Sequence, residues 1–250
     1  MLRILILLLI LPISTPIHAE TFKWVDDKGI LHLSDKPPRN PKYLKQIKTS
    51  NNAESLLTNK QEIELPTANH IKTLLNDNFN DNKNNWWQTE NELNVLKIKN
   101  GYYEIFKKNG MMLTWLKSFN LQESHDFEIE ALISKTEGKD INTYGILFGL
   151  KNSANYFCFG ITGDGQYRFF SKENDKYNYI IDYKKSEYID KYNSTNKLKI
   201  QKTGNELMFY INDKFVDKSP LRSFFGKKVG FGVTSQIRAK ADKITVNKIY

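Results

Sequence analysis

The chain has a single cysteine in 250 residues, Cys158, and this scarcity limits both its covalent chemistry and its anchoring. One cysteine excludes an internal disulfide, so the core must stabilise the fold. Because Cys158 is far from the N-terminus, it cannot carry a lipid anchor next to a signal peptide. Cys158 lies between Phe157 and Phe159 with no neighbour that would lower its pKa, so we expect a packed, unreactive thiol.

Metal ligands and catalytic motifs are equally scarce. Beyond residue 19 the chain has three widely spaced histidines, His32, His70 and His125. There is no Gly-x-Ser-x-Gly motif and no phosphate-binding loop. Asp77, Asp81 and Asn82 offer oxygen ligands for Ca²⁺, but their spacing is not that of a calcium loop, and turn hydrogen bonding is the preferred interpretation. We therefore expect no metal site and no cofactor.

Long apolar runs are confined to the first nineteen residues. Arg3 supplies a positive charge, residues 4–11 are apolar, and the residues before Glu20 provide a cleavage site after Ala19. This arrangement predicts a secretory signal peptide over residues 1–19, too short and wrongly flanked to span a membrane. We expect a periplasmic or secreted protein without a membrane span, and a soluble mature chain.

The net charge is +9, which becomes +8 once Arg3 leaves with the signal peptide. Most of the 37 basic residues are lysines scattered along the chain. Because there is no basic helix and no arginine-rich tract, we do not expect nucleic acid as a partner. A basic exterior still favours anionic surfaces such as lipid headgroups or acidic polysaccharides.

The segment after the predicted cleavage site has the pattern of a β-hairpin. Two short β-runs flank Asp27-Lys28-Gly29, where glycine permits the positive φ of a turn. Trp24 is an apolar anchor, and Pro37-Pro38 ends the pairing because proline cannot donate to a ladder. His32 and Asp35 lack a nucleophile and a cleft, so we expect a structural polar contact there and no catalysis.

This segment also resembles a known family. The shared pattern is Phe22-Lys23-Trp24-Val25-Asp26, then Gly29, then His32-x-Ser34-Asp35-x-Pro37-Pro38. It is similar to an N-terminal domain of unknown function that follows the signal peptide of many Gram-negative secreted and periplasmic proteins. The likeness covers Glu20 to about Pro41, with Phe22 and Leu33 where the family commonly has tyrosine. It implies an envelope location and no particular reaction.

Composition divides the rest of the chain in two. Residues 42–70 are polar and carry several breakers, with too few apolar side chains for a core, which predicts a linker. The predicted organisation is therefore a signal peptide at 1–19, a small β domain at 20–41, a polar linker at 42–70 and a large domain at 71–250.

Period-two alternation dominates residues 71–250. One face is apolar in residues 126–133, 155–161 and 166–171, and residues 144–150 are apolar on both faces. Asn100-Gly101 between two alternating runs predicts a tight hairpin turn. About a dozen short strands at regular spacing predict a sandwich. The expected fold class is mainly β, with a small N-terminal β-hairpin domain and a C-terminal antiparallel β-sandwich (jelly roll).

The large domain resembles the concanavalin A-like lectin/glucanase superfamily of jelly rolls, especially its laminin-G-like and keto-disaccharide-hydrolase-like branches. The likeness rests on four stretches, namely Asp77-x-Phe79-x-Asp81 with Trp86, Asp126–Ala131, Tyr144–Gly149, and Leu207–Asp213 followed by Val229-Gly230-Phe231. It implies a fold that hosts lectins, hydrolases and adhesion modules, so it does not choose among those functions.

Enzymes of this fold cleave glycosidic bonds with paired carboxylates, and the nearest candidates are Glu128 and Glu130, which share a face by strand period. One glucanase branch uses Glu-x-Asp-x-x-Glu. Here the central position is Glu130, and Ile133 stands where the third carboxylate should be. A solvated strand face that also includes Asp126 is the preferred interpretation, so we expect no catalytic residues.

A binding face is the stronger expectation. If Phe157 and Phe159 point into the core, the residues between and beside them point outward. This logic assigns four residues to one exposed platform, Tyr156, Arg168, Phe170 and Tyr210. The alternative, which is the preferred interpretation, is that a loop or the second sheet covers them. The remaining large aromatics, Trp86, Trp87 and Trp115, are expected as core or rim residues.

These observations lead to a main functional hypothesis and two alternatives. The main one is an exported, non-catalytic binding module of the bacterial envelope, with a carbohydrate or another envelope component as its ligand. The first alternative is a glycan-active hydrolase that uses Glu128 and Glu130. The second is a structural or assembly protein that docks a partner through its N-terminal domain.

Overall fold

Two short strands near the N-terminus form an antiparallel hairpin. The computed structural model describes residues 22–25, 31–34, 36 and 71–250. β1 (Phe22–Val25) pairs with β2 (Leu31–Ser34), with Phe22 opposite Ser34. The predicted N-terminal hairpin is thus confirmed. The predicted signal peptide, the hairpin turn, the side chain of His32, Asp35 and the predicted linker 42–70 lie outside the described residues.

By its backbone contacts the chain divides into two units, Met1–Ile63 and Glu64–Tyr250. The described part of the second unit consists of β-strands joined by turns and loops. Its strands are β3 (Ile71–Asp77), β4 (Thr89–Glu90), β5 (Asn94–Lys99), β6 (Tyr102–Lys107), β7 (Met112–Trp115), β8 (Asp126–Glu137), β9 (Thr143–Asn152), β10 (Asn155–Thr162), β11 (Gln166–Glu173), β12 (Lys176–Lys185), β13 (Thr195–Thr203), β14 (Glu206–Ile211), β15 (Lys214–Pro220), β16 (Lys228–Val233) and β17 (Ile237–Ile249).

The strands form two antiparallel sheets. The six-stranded sheet has the order β12-β11-β10-β9-β16-β7. The nine-stranded sheet has the order β15-β14-β13-β8-β17-β6-β5-β4, and β3 pairs with β17 outside this path. The predicted antiparallel β-sandwich is therefore confirmed. Within the part of the chain that the structure describes, no helix is long and apolar enough to cross a membrane.

The main core lies between the two sheets. The rings of Phe159 and Phe169 in the six-stranded sheet lie 4.8 and 4.7 Å from the ring of Phe209 in the nine-stranded sheet. Along β8, Phe127 and Ile129 are buried on the same inner face, as the alternation predicts. Full burial of one such side chain stabilises the fold by about 1.5–3 kcal/mol.

A second, smaller cluster lies on the outer side of the six-stranded sheet. It contains Leu147, Leu150, Tyr156, Cys158 and Phe170, all of them buried. It exists because β9 is apolar on both faces, which the sequence predicts. The predicted packing of the Cys158 thiol is confirmed, and its burial raises its pKa to about 12.

Turn chemistry fixes the pairing of neighbouring strands. Asn100 and Gly101 have φ angles of 51° and 77° between β5 and β6, as a two-residue hairpin requires. Asn212 and Asp213 play the same part between β14 and β15, with φ angles of 50° and 65°.

Candidate binding face

Three of the four residues predicted for binding lie on the outer side of the six-stranded sheet. Tyr156 is on β10, and Arg168 and Phe170 are on β11. They point away from the main core, as predicted, but the expected exposure is wrong for all three, since Arg168 is only 9% exposed. Tyr156 and Phe170 are buried because they pack with Cys158 in the smaller cluster. Their buried rings therefore lie beneath the outer surface of the six-stranded sheet and support it.

The fourth predicted residue, Tyr210, is on β14 in the other sheet. Its ring lies 5.7 Å from the ring of Phe215, and the Lys199 ammonium lies 4.9 Å above it. The expectation of one platform formed by all four residues is therefore wrong. Alternation tells which side of its own strand a residue takes, but it does not tell which sheet the strand joins. A binding role for these residues stays a prediction.

Backbone register aligns two rows of residues across the outer side of the six-stranded sheet. One row is apolar and contains Trp115, Gly230, Leu147, Cys158, Phe170 and Tyr179 in the order of the strands. In the next row Arg168 lies opposite Gly160, Gly160 opposite Gly145, and Gly145 opposite Gly232. Three adjacent strands therefore carry no side chain beside Arg168, which leaves room for long side chains to cross them.

These glycines are required by close strand approach. A Cβ on Gly145 would lie 2.2 Å from the carbonyl oxygen of Phe159. A Cβ on Gly160 would lie 2.5 Å from Cγ2 of Thr143. The Thr143 hydroxyl is 2.8 Å from the hydroxyl of Tyr183, so a side chain of β12 reaches over β11 and β10 to β9. The absence of a side chain at Gly160 permits this contact.

Two irregularities in the pairing of β11 with β12 aim the tyrosines of β12. Phe170 pairs with Tyr179, but Phe169 pairs with Ile181, so β12 has one residue more than β11 in this interval. A second extra residue lies between Ile181 and Lys184, which pairs with Tyr167. These are β-bulges, and each one reverses the side to which later residues point. Ile181 consequently enters the main core while Tyr179 and Tyr183 both stay outside.

We name this surface the tyrosine face and define it as Arg168, Phe170, Tyr177, Tyr179 and Tyr183. The three tyrosines are 47%, 51% and 40% exposed, respectively. Tyr177 and Tyr179 are parallel within 9°, with ring centroids 6.2 Å apart. Phe170 lies beneath both of them, at 5.7 and 6.1 Å. The rings are thus held on a sheet and remain open to solvent on one side.

Arg168 is at the centre of this face and is only 9% exposed. Its guanidinium carbon lies 4.6 Å from the Phe170 ring, 4.5 Å from the Tyr183 ring and 5.5 Å from the Tyr179 ring. Its Nε is buried and has no hydrogen-bond partner among the described residues. The charge is held by ring faces alone.

The acidic residues of β8 lie on the outer side of the nine-stranded sheet and face lysines of β13. Lys199 is 3.7 Å from Glu128, and Lys197 is 3.9 Å from Glu130. Asp126 accepts a hydrogen bond from the buried Lys202 at 2.9 Å. Cross-strand charge pairing therefore accounts for this row of carboxylates.

The acidic loop after β3 is organised by hydrogen bonds. The buried carboxylate of Asp77 accepts them from the Phe79 backbone N–H at 2.9 Å, the Asn84 amide at 2.7 Å and the Trp86 indole at 2.8 Å. Asp81 accepts one from a backbone N–H, and the side-chain oxygen of Asn82 accepts one from the Trp86 N–H at 2.8 Å. The described residues contain no group of three or more His, Cys, Asp or Glu side chains that could hold a metal ion.

Two surface clefts open beside the segment 120–127. One has a volume of about 200 Å³ and is lined by His125, Asp126 and Lys248 among others. The second has a volume of about 360 Å³ and includes Glu123 and Phe224. Neither includes any of the four predicted binding residues, and neither reaches the tyrosine face.

The tryptophans occupy the places expected for core and rim residues. Trp86 is 2% exposed and packs against Phe79, Tyr103 and Phe231 in the main core. Trp87 is more than half exposed, and Trp115 packs at the edge of the smaller cluster.

Tyr177, Tyr179 and Tyr183 are not among the site residues predicted from the sequence. The spacing of Tyr177 and Tyr179 by two residues was a usable signal, because it places both rings on one side of a predicted strand. Tyr183 could not be placed in this way. Simple alternation would put Ile181 on the same side as the tyrosines, and only the bulges separate them.

Comparison with known proteins bears on each part of the chain. A family model described as "Domain of unknown function (DUF4124)" matches residues 6–56. This range includes residues 20–41, for which the sequence indicates a resemblance to an N-terminal domain of unknown function. No protein of curated function matches the chain.

Several solved structures share the fold. Carbohydrate binding module CBM66 from Bacillus subtilis matches with a TM-score of 0.50 and 19% identity, over 62% of this chain and 91% of the module. A protein of unknown function with a galectin-like fold, also from Bacillus subtilis, matches with a TM-score of 0.51 and 11% identity, over 71% of this chain and 96% of that protein. The GH43 BlXynB protein from Bacillus licheniformis matches with a TM-score of 0.51 and 11% identity, over 90% of this chain.

The present chain spans 45% of the BlXynB chain, so less than half of that protein is represented here. At such low identities these likenesses concern the fold. They show that the chain contains a β-sandwich like the folds of a carbohydrate binding module and of a galectin-like protein.

Proposed function

We propose that the sandwich of residues 71–250 is a non-catalytic glycan-binding module and that the tyrosine face holds the glycan. The observation that carries the proposal is the group of three exposed tyrosines, Tyr177, Tyr179 and Tyr183, on a rigid sheet around Arg168. Neighbouring rings that stay exposed on a soluble domain mark an interaction surface. Flat aromatic rings with hydroxyl groups at their edges suit sugar rings, which stack on the ring faces and form hydrogen bonds at the rim.

The solved structures of the same fold support this class of ligand. One of them is named as a carbohydrate binding module, and another belongs to a GH43 protein. The fold therefore occurs in proteins that are named for carbohydrates, and the tyrosine face gives this chain a surface for the same class of ligand.

The pairing of acids with lysines supports binding without hydrolysis. Glu128 and Glu130 are each within 4 Å of a lysine. They lie on the outer side of the nine-stranded sheet, whereas the tyrosine face is on the six-stranded sheet. A glycosidase needs one carboxyl group that is protonated at working pH and a second one across the scissile bond. Here both carboxylates face lysines of β13, and this cross-strand charge pairing already accounts for them without a catalytic role.

Export is part of the same proposal. The charged and apolar pattern of residues 1–19 and the match of residues 6–56 to a domain of unknown function support a periplasmic or secreted module. We expect an N-terminus at Glu20 after cleavage, which mass spectrometry of the protein from cell fractions would show. The small N-terminal domain would then be available to a second envelope component.

The test is a glycan-array screen of residues 20–250 at low and at moderate salt. The variant Tyr179→Ala/Tyr183→Ala removes two rings from the tyrosine face. Tyr210→Ala removes the same type of ring from the other sheet and serves as the matched comparison. We expect binding that survives moderate salt, falls about tenfold or more for each lost ring, and is unchanged in Tyr210→Ala.

The outcomes separate three explanations. Binding that disappears at moderate salt would show that net charge was responsible, and the proposed face would be wrong. Binding that is lost in Tyr210→Ala but kept in the double variant would move the site to the other sheet. Hydrolysis of a bound glycan that stops in Glu128→Gln would favour the hydrolase alternative.

A further inference from the structure

Five charged side chains are buried in the described sandwich, and four of them are neutralised or hydrogen bonded. Lys135 contacts Asp140 at 3.0 Å, and Lys202 contacts Asp126 at 2.9 Å. Glu104 pairs with Lys99 and Arg238, and Asp77 accepts three hydrogen bonds. This is the ordinary arrangement, because a buried charge without a partner is costly. Arg168 is the fifth, and it has neither kind of partner among the described residues.

The surroundings of Arg168 show why no internal partner is available. The neighbouring acid on β12 is Asp182, whose carboxylate accepts a hydrogen bond from the Tyr183 backbone N–H at 2.8 Å. Asp175 is paired with Lys172 at 2.7 Å, and Asp217 is paired with Lys184 at 2.6 Å. The local acids are thus engaged elsewhere, and the guanidinium contacts only the faces of three rings.

The guanidinium of Arg168 has donors that no described residue uses. Nε is buried, whereas the two terminal nitrogens reach solvent and donate no hydrogen bond within the described residues. Their N–H groups lie in the plane of a group whose central carbon is 4.6 Å from the Phe170 ring and 4.5 Å from the Tyr183 ring. A rigid, planar pair of donors matches the two oxygens of a carboxylate in a bidentate contact. The rings of Tyr179 and Tyr183 lie 5.5 and 4.5 Å from the guanidinium carbon, and both residues are about half exposed.

We propose that Arg168 binds a carboxylate of the ligand, so that the tyrosine face recognises a glycan containing a carboxylated sugar. This inference rests on the proposed function and specifies its ligand. The sugar ring stacks on an exposed tyrosine, and its carboxylate meets the terminal nitrogens of Arg168. The ligand supplies the partner that each of the other four buried charges of the described sandwich finds within the protein.

The experiment uses acidic oligosaccharides and their neutral counterparts. The probes are oligogalacturonides and oligomannuronates, each compared with its own methyl ester, which keeps the sugar rings and removes the charge. A sulfated galacto-oligosaccharide is included to separate a carboxylate from another anion. Titration calorimetry on residues 20–250 at about 0.15 M salt limits the influence of net charge, since charges farther apart than about 8 Å are screened.

Three variants complete the design. Arg168→Met removes the charge and keeps an apolar side chain between the rings. Arg168→Lys keeps the charge but loses the planar pair of donors. Lys199→Met removes the same net charge from above the ring of Tyr210 on the other sheet, so it is the matched control. Thermal unfolding of each variant checks that the sandwich is intact.

We expect at least one free acid to bind about 10- to 100-fold more tightly than its ester, as a charge-assisted bidentate contact provides. This ratio should fall to about one in Arg168→Met, take an intermediate value in Arg168→Lys and stay unchanged in Lys199→Met. Equal binding of acids and esters would overturn the carboxylate proposal and leave the glycan-binding proposal standing.

Other results would overturn the inference in distinguishable ways. A preference for the acid that persists in Arg168→Met would show that the anion binds elsewhere. Tighter binding of the sulfated probe than of both free acids would replace the carboxylate by a sulfate. Binding confined to neutral glycans of the array would contradict the carboxylate proposal alone, whereas no binding to any glycan would contradict both proposals.

Discussion

Two arginines of the sandwich lie over aromatic rings and differ in what else contacts the charge. The Arg238 guanidinium lies 4.5 Å from the Phe106 ring, and it also pairs with Glu104 and with Glu137. Arg168 lies at similar distances from its rings and has no carboxylate partner among the residues that the structure describes. Replacing each arginine by methionine therefore compares Arg238, whose partners lie within the fold, with Arg168, whose proposed partner is a ligand.

Arg238→Met should lower the free energy of unfolding because it leaves two carboxylates, Glu104 and Glu137, without their arginine partner. Burial alone would raise the pKa of the Glu104 carboxyl, but hydrogen bonds from Lys99 and Arg238 outweigh it and hold this pKa below its ordinary value. Without Arg238 the buried Glu104 keeps only Lys99, and Glu137 loses its partner. Loss of a charged hydrogen bond at a buried group costs about 2–3 kcal/mol in the free energy of unfolding.

The expected cost of Arg168→Met is much smaller. Three contacts between the cation and ring faces, at about 0.5–1 kcal/mol each, disappear with the change. Against this, removal of a buried Nε without a partner relieves about 1–3 kcal/mol. The two effects are of similar size, so the free energy of unfolding should change by no more than about 1 kcal/mol in either direction.

Urea-induced unfolding followed by tryptophan fluorescence measures both variants, because Trp86 is buried in the main core. We expect Arg168→Met to unfold near the midpoint of the unchanged protein and Arg238→Met well below it. A loss above 2 kcal/mol for Arg168→Met, with a smaller loss for Arg238→Met, would refute this reasoning. It would mean that Arg168 serves the fold.

Three further predictions concern the rest of the sandwich. Asp77→Ala should cost about 3–5 kcal/mol in urea unfolding, because it leaves the Trp86 indole and another buried donor unpaired, whereas Asp81→Ala in the same loop should cost less than about 1 kcal/mol. The pKa of Glu104 is lowered in the folded protein, so its ionised carboxylate stabilises the fold above pH 4.5, the ordinary pKa of this group, and this stabilisation is lost as the pH falls further. Urea unfolding from pH 6 to 3 should therefore show less acid sensitivity in Glu104→Gln. Cys158 should react with a thiol reagent at pH 8 only after unfolding, because burial raises its pKa to about 12, and fast reaction of the folded protein would contradict its packing.

The strands could be predicted from the sequence because their signals are local. Alternation over residues 126–133 gave the inner face of β8, and Asn100-Gly101 gave the turn between β5 and β6. The apolar character of residues 144–150 on both faces correctly indicated a strand covered on both sides, and the smaller cluster covers its outer side.

The candidate site could be predicted only in part, because it depends on pairing between distant segments. Alternation placed Tyr156 and Arg168 on the outer side of their strands. It could not show that Tyr210 belongs to the other sheet, since sheet membership is decided by long-range register. It also could not show the bulges that bring Tyr179 and Tyr183 together around Arg168, because no residue type marks a bulge reliably.

The most direct test of the account is a crystal structure of residues 20–250 with the tightest-binding glycan from the array. The account predicts a sugar ring against Tyr179 or Tyr183 and a carboxylate oxygen within hydrogen-bond distance of the terminal nitrogens of Arg168. A glycan seated in the cleft beside His125, or along the acids of β8, would contradict it.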